Sequence, residues 1–261
     1  MLHDILHCIV AGFEHSGTTL MTDLLRQHPT LDSGFEGGLL IKESPQDFLN
    51  FEPFFGNLKS TWKLTNSDMA QICASQNFQI AYTRLRDLSP IITDKSKKLF
   101  DKTPRYMRHM PEILKRNRDL PAIIMIRDPR AVMWSSFKRA AAKRAGLDVE
   151  TWLKEIYPIT LKHTKAYAES AIEAKTMHPR RVLLVKYEDL ARTPLSVLPT
   201  IFSHIDLDFS ESFTSFEPKY NLTYSNKIED KYLFEYRSGF SASTAELIKS
   251  NFKEYPVLLT D

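Results

Sequence analysis

A short, mostly apolar run from Ile5 to Ala11 ends at Gly12. The rhythm then changes: in "TTLMTDLLRQHP" the apolar positions Leu20, Met21, Leu24 and Leu25 recur at helical spacing until Pro29. The first pattern predicts a strand buried on both faces, the second a helix laid against it. The succession returns in "PAIIMIRDPRAVMWSSFKRAAAKRAG". Here Ala122 to Ile126 predicts a second buried strand, Asp128-Pro129 a turn, and the alanine-rich stretch a helix running to Gly146. "RRVLLVKYEDL" supplies a third strand ending at Lys186 or Tyr187, followed by a helix in "PLSVLPTIFSHI". Residues 150 to 177 read as one long helix, and "SGFSASTAELIKSNF" as a terminal amphipathic one. From about 44 to 95 the pattern is irregular and aromatic, broken by Pro45, Pro53 and Pro90, with a helix near 66 to 76. Strands alternating with helices imply right-handed crossovers and a central parallel sheet flanked by helices. No internal repeat or linker interrupts this, so a single domain over 1–261 is expected.

The turn after the first strand, "GFEHSGTT" from Gly12 to Thr19, nearly spells the phosphate-binding loop G-x-x-x-x-G-K-[ST], but Thr18 stands where the lysine would be. Its backbone amides and the positive end of the following helix form an anion nest without that lysine. Ser16, Thr18 and Thr19 add hydroxyls, Glu14 belongs to the same loop, and His15 is the nearest candidate cation. Such a loop suits a terminal 5′-phosphate better than γ-phosphoryl transfer, which relies on lysine and metal. The fold class is therefore α/β, a three-layer P-loop-like fold. Arg127 ends the second strand, and Ser135 lies two turns into the next helix, facing the same crevice; a second phosphate fits there, since ligands bind outside the strand ends of open parallel sheets. Taken singly, both units have plainer readings: a glycine turn before a helix, and an Arg127 paired with Asp128. "LDSGFEGGLLI", with three glycines in five positions, reads as a loop that approaches something closely.

Composition narrows the partners. A net charge of +3 is too small to argue for a nucleic-acid groove, though it permits a basic pocket for an anionic ligand. Cys8 and Cys73 are too few for a disulfide framework or a thiolate metal site. The N-terminal apolar run lacks the basic flank and cleavage site of a secretory signal, and no stretch reaches the roughly 20 apolar residues of a membrane helix. A cytoplasmic protein with no membrane partner is expected. "NLT" at Asn221 is formally a glycosylation acceptor, not expected to be used.

"GFEHSGTTLMTDLLRQHP" followed by "IIMIRDPRAVMWSSFKR", with "LLVKYEDLARTP" later, resembles the sulfotransferases that use 3′-phosphoadenosine 5′-phosphosulfate (PAPS), over residues 5 to 205. The resemblance implies a donor whose 5′-phosphosulfate sits on Gly17, Thr18 and Thr19 and whose 3′-phosphate sits on Arg127 and Ser135. It further implies adenosine 3′,5′-bisphosphate (PAP) as product and no metal. "SGTTLM", "SGFEGG" and "DKTPRYM" resemble the tyrosylprotein sulfotransferase branch most closely. On that match Glu36 corresponds to the catalytic base, Lys102 to the lysine near the bridging oxygen, and Arg139 to a further donor-binding arginine. Tyr187 is a candidate adenosine neighbour and Arg237 a candidate phosphate contact. The chemistry agrees: sulfuryl transfer to a hydroxyl needs a base for the proton and cations for the charge on the leaving phosphate, roles open to Glu36, His15 and Lys102.

The residues leave alternatives. The plainer alternatives are Glu36 as a solvated loop carboxylate, Lys102 as a partner of Asp101, and His109 as a different base. His15 stands where the family has lysine or arginine, so its charge depends on a bound phosphosulfate raising its pKa. The arginine expected after the acidic loop is replaced by Gly38 and its neighbours, so recognition of a peptide tyrosine does not follow; peptide, glycan and small-molecule hydroxyls all stay open. The rival readings are a P-loop kinase or NTPase and a non-catalytic nucleotide-binding module on the same fold.

Overall fold

The first apolar run is β1 (Leu6–Gly12), and the helix behind it is α1 (Thr18–Leu25), in a computed structural model that describes residues 5–218 and 228–260. A two-residue strand, β2 (Leu31–Asp32), follows. The irregular region then folds into α2 (Phe54–Thr61), α3 (Asn66–Cys73) and α4 (Phe78–Leu88). β3 (Lys98–Lys102) and α5 (Met110–Arg116) lead to β4 (Ala122–Ile126) and α6 (Pro129–Lys143). After α7 (Val149–Glu155) and α8 (Tyr157–Met177) come β5 (Val182–Lys186), α9 (Tyr187–Arg192) and α10 (Pro194–His204). Two further helices, α11 (Tyr236–Gly239) and α12 (Ala242–Ser250), complete the described chain.

All five strands are parallel, in the order β2-β3-β1-β4-β5. Alternation along β4 explains why its sequence is apolar throughout. Ala122, Ile124 and Ile126 face one core with α4, α5, α8 and α12, whereas Ile123 and Met125 face a second core with α1, α9 and α10. Each fully buried Leu or Ile in these layers contributes on the order of 1.5–3 kcal/mol. β1 lies between β3 and β4, with Gly12 level with Met125, so the loops leaving β1 and β4 open side by side at the carboxyl edge of the sheet.

Three expectations need correction. The sequence pattern shows three strands and the fold has five: β3 was hidden because "KLFDK" carries three charged residues, of which Asp101 and Lys102 are nonetheless buried. The helix expected over 150–177 is two helices, broken at Ile156 just before Pro158 enters the first turn of α8. The α6 helix stops at Lys143 rather than at Gly146. Cys8 and Cys73 are free and both buried. Asn221 lies outside the described residues. Among the described residues no helix is long and apolar enough to cross a membrane.

Candidate active site

A cleft of about 850 Å³ opens at the carboxyl edge of the sheet, where the β1–α1 loop, the start of α6, the 34–38 loop and the 228–235 segment converge. One end of it is built from the β1–α1 loop. The loop turns because Phe13 N–H bonds Met125 O at 3.3 Å and Ser16 N–H bonds Phe13 O at 3.1 Å. Gly17 then takes a left-handed φ of 88°, and a Cβ there would meet the Tyr187 ring at 2.5 Å. No side chain caps α1, so its first amides keep unspent donors, and Gly17, Thr18, Thr19 and Leu20, at the positive end of the helix, line the cleft.

Arg127 emerges from the end of β4. Its Nη1 donates to His15 O at 2.8 Å and its Nη2 to Tyr232 O at 2.7 Å, while the guanidinium lies 4.3 Å from the centre of the Tyr187 ring. Nε is buried with no partner among the described residues. Asp128 instead pairs with Arg130, which excludes the plainer Arg127–Asp128 reading. A buried guanidinium held by carbonyls and an aromatic face, with its Nε–H unspent, fits a phosphate. Ser135, Lys138 and Arg139 follow along α6 and line the same wall.

The opposite end carries Glu36. Lys102 is buried (3% exposed) behind it and donates to Glu36 Oε1 at 3.2 Å, with Nζ 4.5 Å from the centre of the Phe35 ring. Lys102 therefore pairs with Glu36, not with Asp101. Asp101 is a hub. It accepts from Tyr82 Oη, from Tyr106 Oη at 2.5 Å, from Thr103 Oγ1 at 2.8 Å and from Gly37 N at 3.3 Å. Thr103 Oγ1 in turn accepts from Gly38 N, and Tyr106 Oη from Leu40 N. Burial, followed by the Asp101 charge, holds both phenols well above their ordinary pKa, so they remain donors. A Cβ on Gly37 would lie 2.6 Å from Asp101 Oδ2, which is why this glycine follows Glu36.

Of the residues singled out from sequence, Glu14, His15, Gly17, Thr18, Thr19, Glu36, Arg127, Ser135, Arg139 and Tyr187 all line the cleft. Ser16 does not: it is buried, and its hydroxyl donates to Phe13 O at 2.7 Å to close the loop. Arg237 does not either; its guanidinium lies over Phe234, 4.0 Å from the ring centre. Lys102 acts from behind Glu36, and His109 sits at the start of α5, away from the cleft lining. Sequence reasoning missed Lys138, although its place in Ser135-x-x-Lys138-Arg139 puts it on the same helical face. It also missed Phe35 and Arg105; Phe54, Phe216 and Tyr232 belong to the aromatics of 48–82 and 216–240, which the sequence leaves open between an apolar mouth and core, and all five reach the cleft.

His15 has a left-handed φ of 68° and is held to a pKa of about 4, chiefly by burial and next by Arg139; Arg127 and Lys138 act in the same direction and Glu14 opposes them. The imidazole is thus neutral near pH 7 in the ligand-free chain. Its other side borders a cavity of about 80 Å³ shared with His163 and Tyr167. Among the described residues no group of three or more His, Cys, Asp or Glu is placed to hold a metal ion.

A model of the Sulfotransferase family matches residues 8–211. The chain belongs to the sulfotransferase family. Similar solved structures include the sulfotransferase domain of the Synechococcus PCC 7002 olefin synthase, with TM-score 0.66, 22% identity, and coverage of 97% of this chain and 95% of that one. A second is the sulfotransferase domain from the curacin biosynthetic pathway, with TM-score 0.64, 21% identity, and coverage of 94% and 96%. A third is a mouse sulfotransferase, SULT7A1, complexed with PAP, with TM-score 0.58, 14% identity, and coverage of 95% and 83%. At these identities the likeness is one of fold, the P-loop-like α/β fold of sulfotransferases. No curated protein matches the chain significantly.

Proposed function

We propose that this sulfotransferase moves a sulfuryl group from PAPS to an acceptor hydroxyl, with Glu36 as base. The observation that carries the reading is the division of the cleft. Anion-binding groups gather at the strand ends of β1 and β4, and a carboxylate bridged to a buried lysine stands across from them. The 5′-phosphosulfate is assigned to the amides of Gly17, Thr18 and Thr19, and the 3′-phosphate to Arg127, Ser135, Lys138 and Arg139. Tyr187 and Phe216 flank the space between. The bound donor supplies a sulfuryl group whose bond to the 5′-phosphate breaks as the acceptor oxygen bonds to sulfur. Glu36 takes the proton from that oxygen. Lys102, freed from Glu36 as the carboxylate is protonated, and the α1 amides stabilise the charge left on the phosphate oxygen. Crystals of the mouse relative with PAP, and of a retinol dehydratase with androsterone and PAP (TM-score 0.52), support this donor class.

The test is calorimetric titration of wild type and Arg127→Ala with PAP, using ATP with Mg²⁺ as control. Micromolar PAP binding that depends on Arg127 and exceeds ATP binding is expected. A preference for ATP with Mg²⁺ would overturn the reading and restore the kinase alternative. Tight PAP binding without transfer to any hydroxyl would leave only a nucleotide-binding module.

A further inference from the structure

Beyond Glu36 the cleft changes character. Phe35, Pro53, Phe54 and Pro104 form apolar walls. Phe54 packs so closely on the loop that a Cβ at Gly38 would lie 2.8 Å from its ring, and Lys102 sits under Phe35. A hydroxyl presented to Glu36 therefore has the rest of its molecule beside Phe35, Pro53, Phe54 and Pro104, a setting for an apolar body.

One cation breaks this apolar end. Arg127, Lys138 and Arg139 all come from the β4–α6 side, but Arg105 follows Lys102 by three residues, placed by Pro104 and the short 3₁₀ turn Pro104–Arg108. Its guanidinium stands 5.9 Å from the centre of the Phe54 ring. Its carboxylate contact is loose: Nε to Glu14 Oε1 is 3.9 Å, beyond hydrogen-bonding distance, and the two side chains are 47% and 57% exposed. Arg130, by contrast, is clamped by both oxygens of Asp128, at 3.0 and 2.6 Å. Arg105 thus keeps its planar fork of donors available inside the cleft, at the edge of the ring that forms the acceptor wall.

We propose that the acceptor is a small hydroxylated acid: an apolar body carries the reacting hydroxyl to Glu36 and an anionic group pairs with Arg105. The inference rests on the sulfuryl-transfer reading above and narrows it to a substrate class. The anion exchanges the distant Glu14 for a direct bidentate contact. Because Arg105 is half exposed, the gain is modest, about fivefold in favour of the acid over its neutral ester.

The experiment compares 3-(4-hydroxyphenyl)propionate and a hydroxylated fatty acid, each with its methyl ester. Transfer from PAPS is measured as kcat/KM, and binding to the PAP-loaded protein by calorimetry. The acid is expected to exceed its ester about fivefold for at least one body. Arg105→Gln should bring that ratio to one, Arg105→Lys should restore part of it, and both variants should bind PAP as wild type does. Esters that serve as well as acids, or a preference that survives Arg105→Gln, overturn the inference. A loss of PAP affinity in Arg105→Gln also overturns it, by assigning Arg105 to the donor. If PAP binds but none of the probes does, the acceptor class is wrong while the donor reading stands. If PAP itself does not bind, both fall.

Discussion

The two ends of the cleft are built by different means. The donor end comes from two continuous stretches, residues 12–19 and 127–139, each a strand edge running directly into a helix. Because β1 and β4 are hydrogen-bonded neighbours, sheet register alone brings the loop amides and Arg127 together. The acceptor end draws Glu36, Phe54 and the stretch from Lys102 to Arg105 from three separate segments, and of these residues only Lys102 lies on a strand. Its geometry depends on side chains, above all the Asp101 hub that ties the amides after Glu36 to β3. An anion site can be had from topology, whereas a carboxylate poised against a buried lysine requires a dedicated network.

This contrast predicts separable losses. Glu36→Gln should lower transfer by about 10²- to 10⁴-fold, the usual contribution of general-base catalysis, while PAP affinity measured by calorimetry stays within about twofold. A parallel loss of PAP affinity would erase the distinction between the ends. Arg127→Ala should do the reverse and weaken PAP by about 30-fold, the equivalent of about 2 kcal/mol for a buried charge-assisted contact. Lys138→Ala should weaken it only a few-fold, because Lys138 is 45% exposed and already paired with Glu235.

The same contrast explains what the sequence reveals. β1, β4 and β5 stand out because buried parallel strands are runs of Val, Ile and Leu, and the glycine loop and Arg127 follow directly from their ends. β3 stays hidden because it is loaded with charge: Asp101 and Lys102 look like surface residues until their partners, Tyr82, Tyr106 and Glu36, arrive from 19, 5 and 66 residues away. Ser16 misleads for the opposite reason. Its spelling suits a ligand contact, but a loop this tight needs its hydroxyl to hold Phe13 O. Arg105 and Phe54 have no local motif at all, so their place at Glu36 emerges only in three dimensions.

Asp101→Asn probes the hub with a smaller expected effect. The amide cannot accept from all four donors, and its NH₂ faces hydroxyls already oriented to donate. The variant should lose about 1–3 kcal/mol of stability for the unsatisfied buried groups. It should also lose roughly tenfold in kcat, with acceptor KM changed far less, because Glu36 is displaced within a site that still forms. Denaturant unfolding and steady-state rates on the same samples check both. Lost stability with unchanged kcat would make Asp101 structural only.

The subtlest effect belongs to His15, which joins the two ends. Its folded pKa of about 4 lies below the ordinary 6.5, so between these values the unfolded chain binds a proton that the ligand-free fold does not. The stability that this histidine confers while neutral is therefore lost as pH falls from about 6.5 to about 4. Bound phosphates would offset Arg139, Arg127 and Lys138, the charges that help burial to keep the proton off, and so raise the pKa of His15. PAP binding should then draw a proton onto the ring near pH 5.5, measured by calorimetry in buffers of different ionisation enthalpy. The phosphates titrate as well, so the decisive quantity is the difference from a variant. His15→Asn suits this, since asparagine tolerates the left-handed backbone at this position. The variant should take up less proton than wild type, and His15→Lys, charged throughout, should keep transfer active with a flatter acid-to-neutral profile. Equal proton uptake by wild type and His15→Asn would mean that the imidazole stays neutral beneath the donor, leaving the loop amides and Lys102 as the groups that carry the phosphosulfate charge.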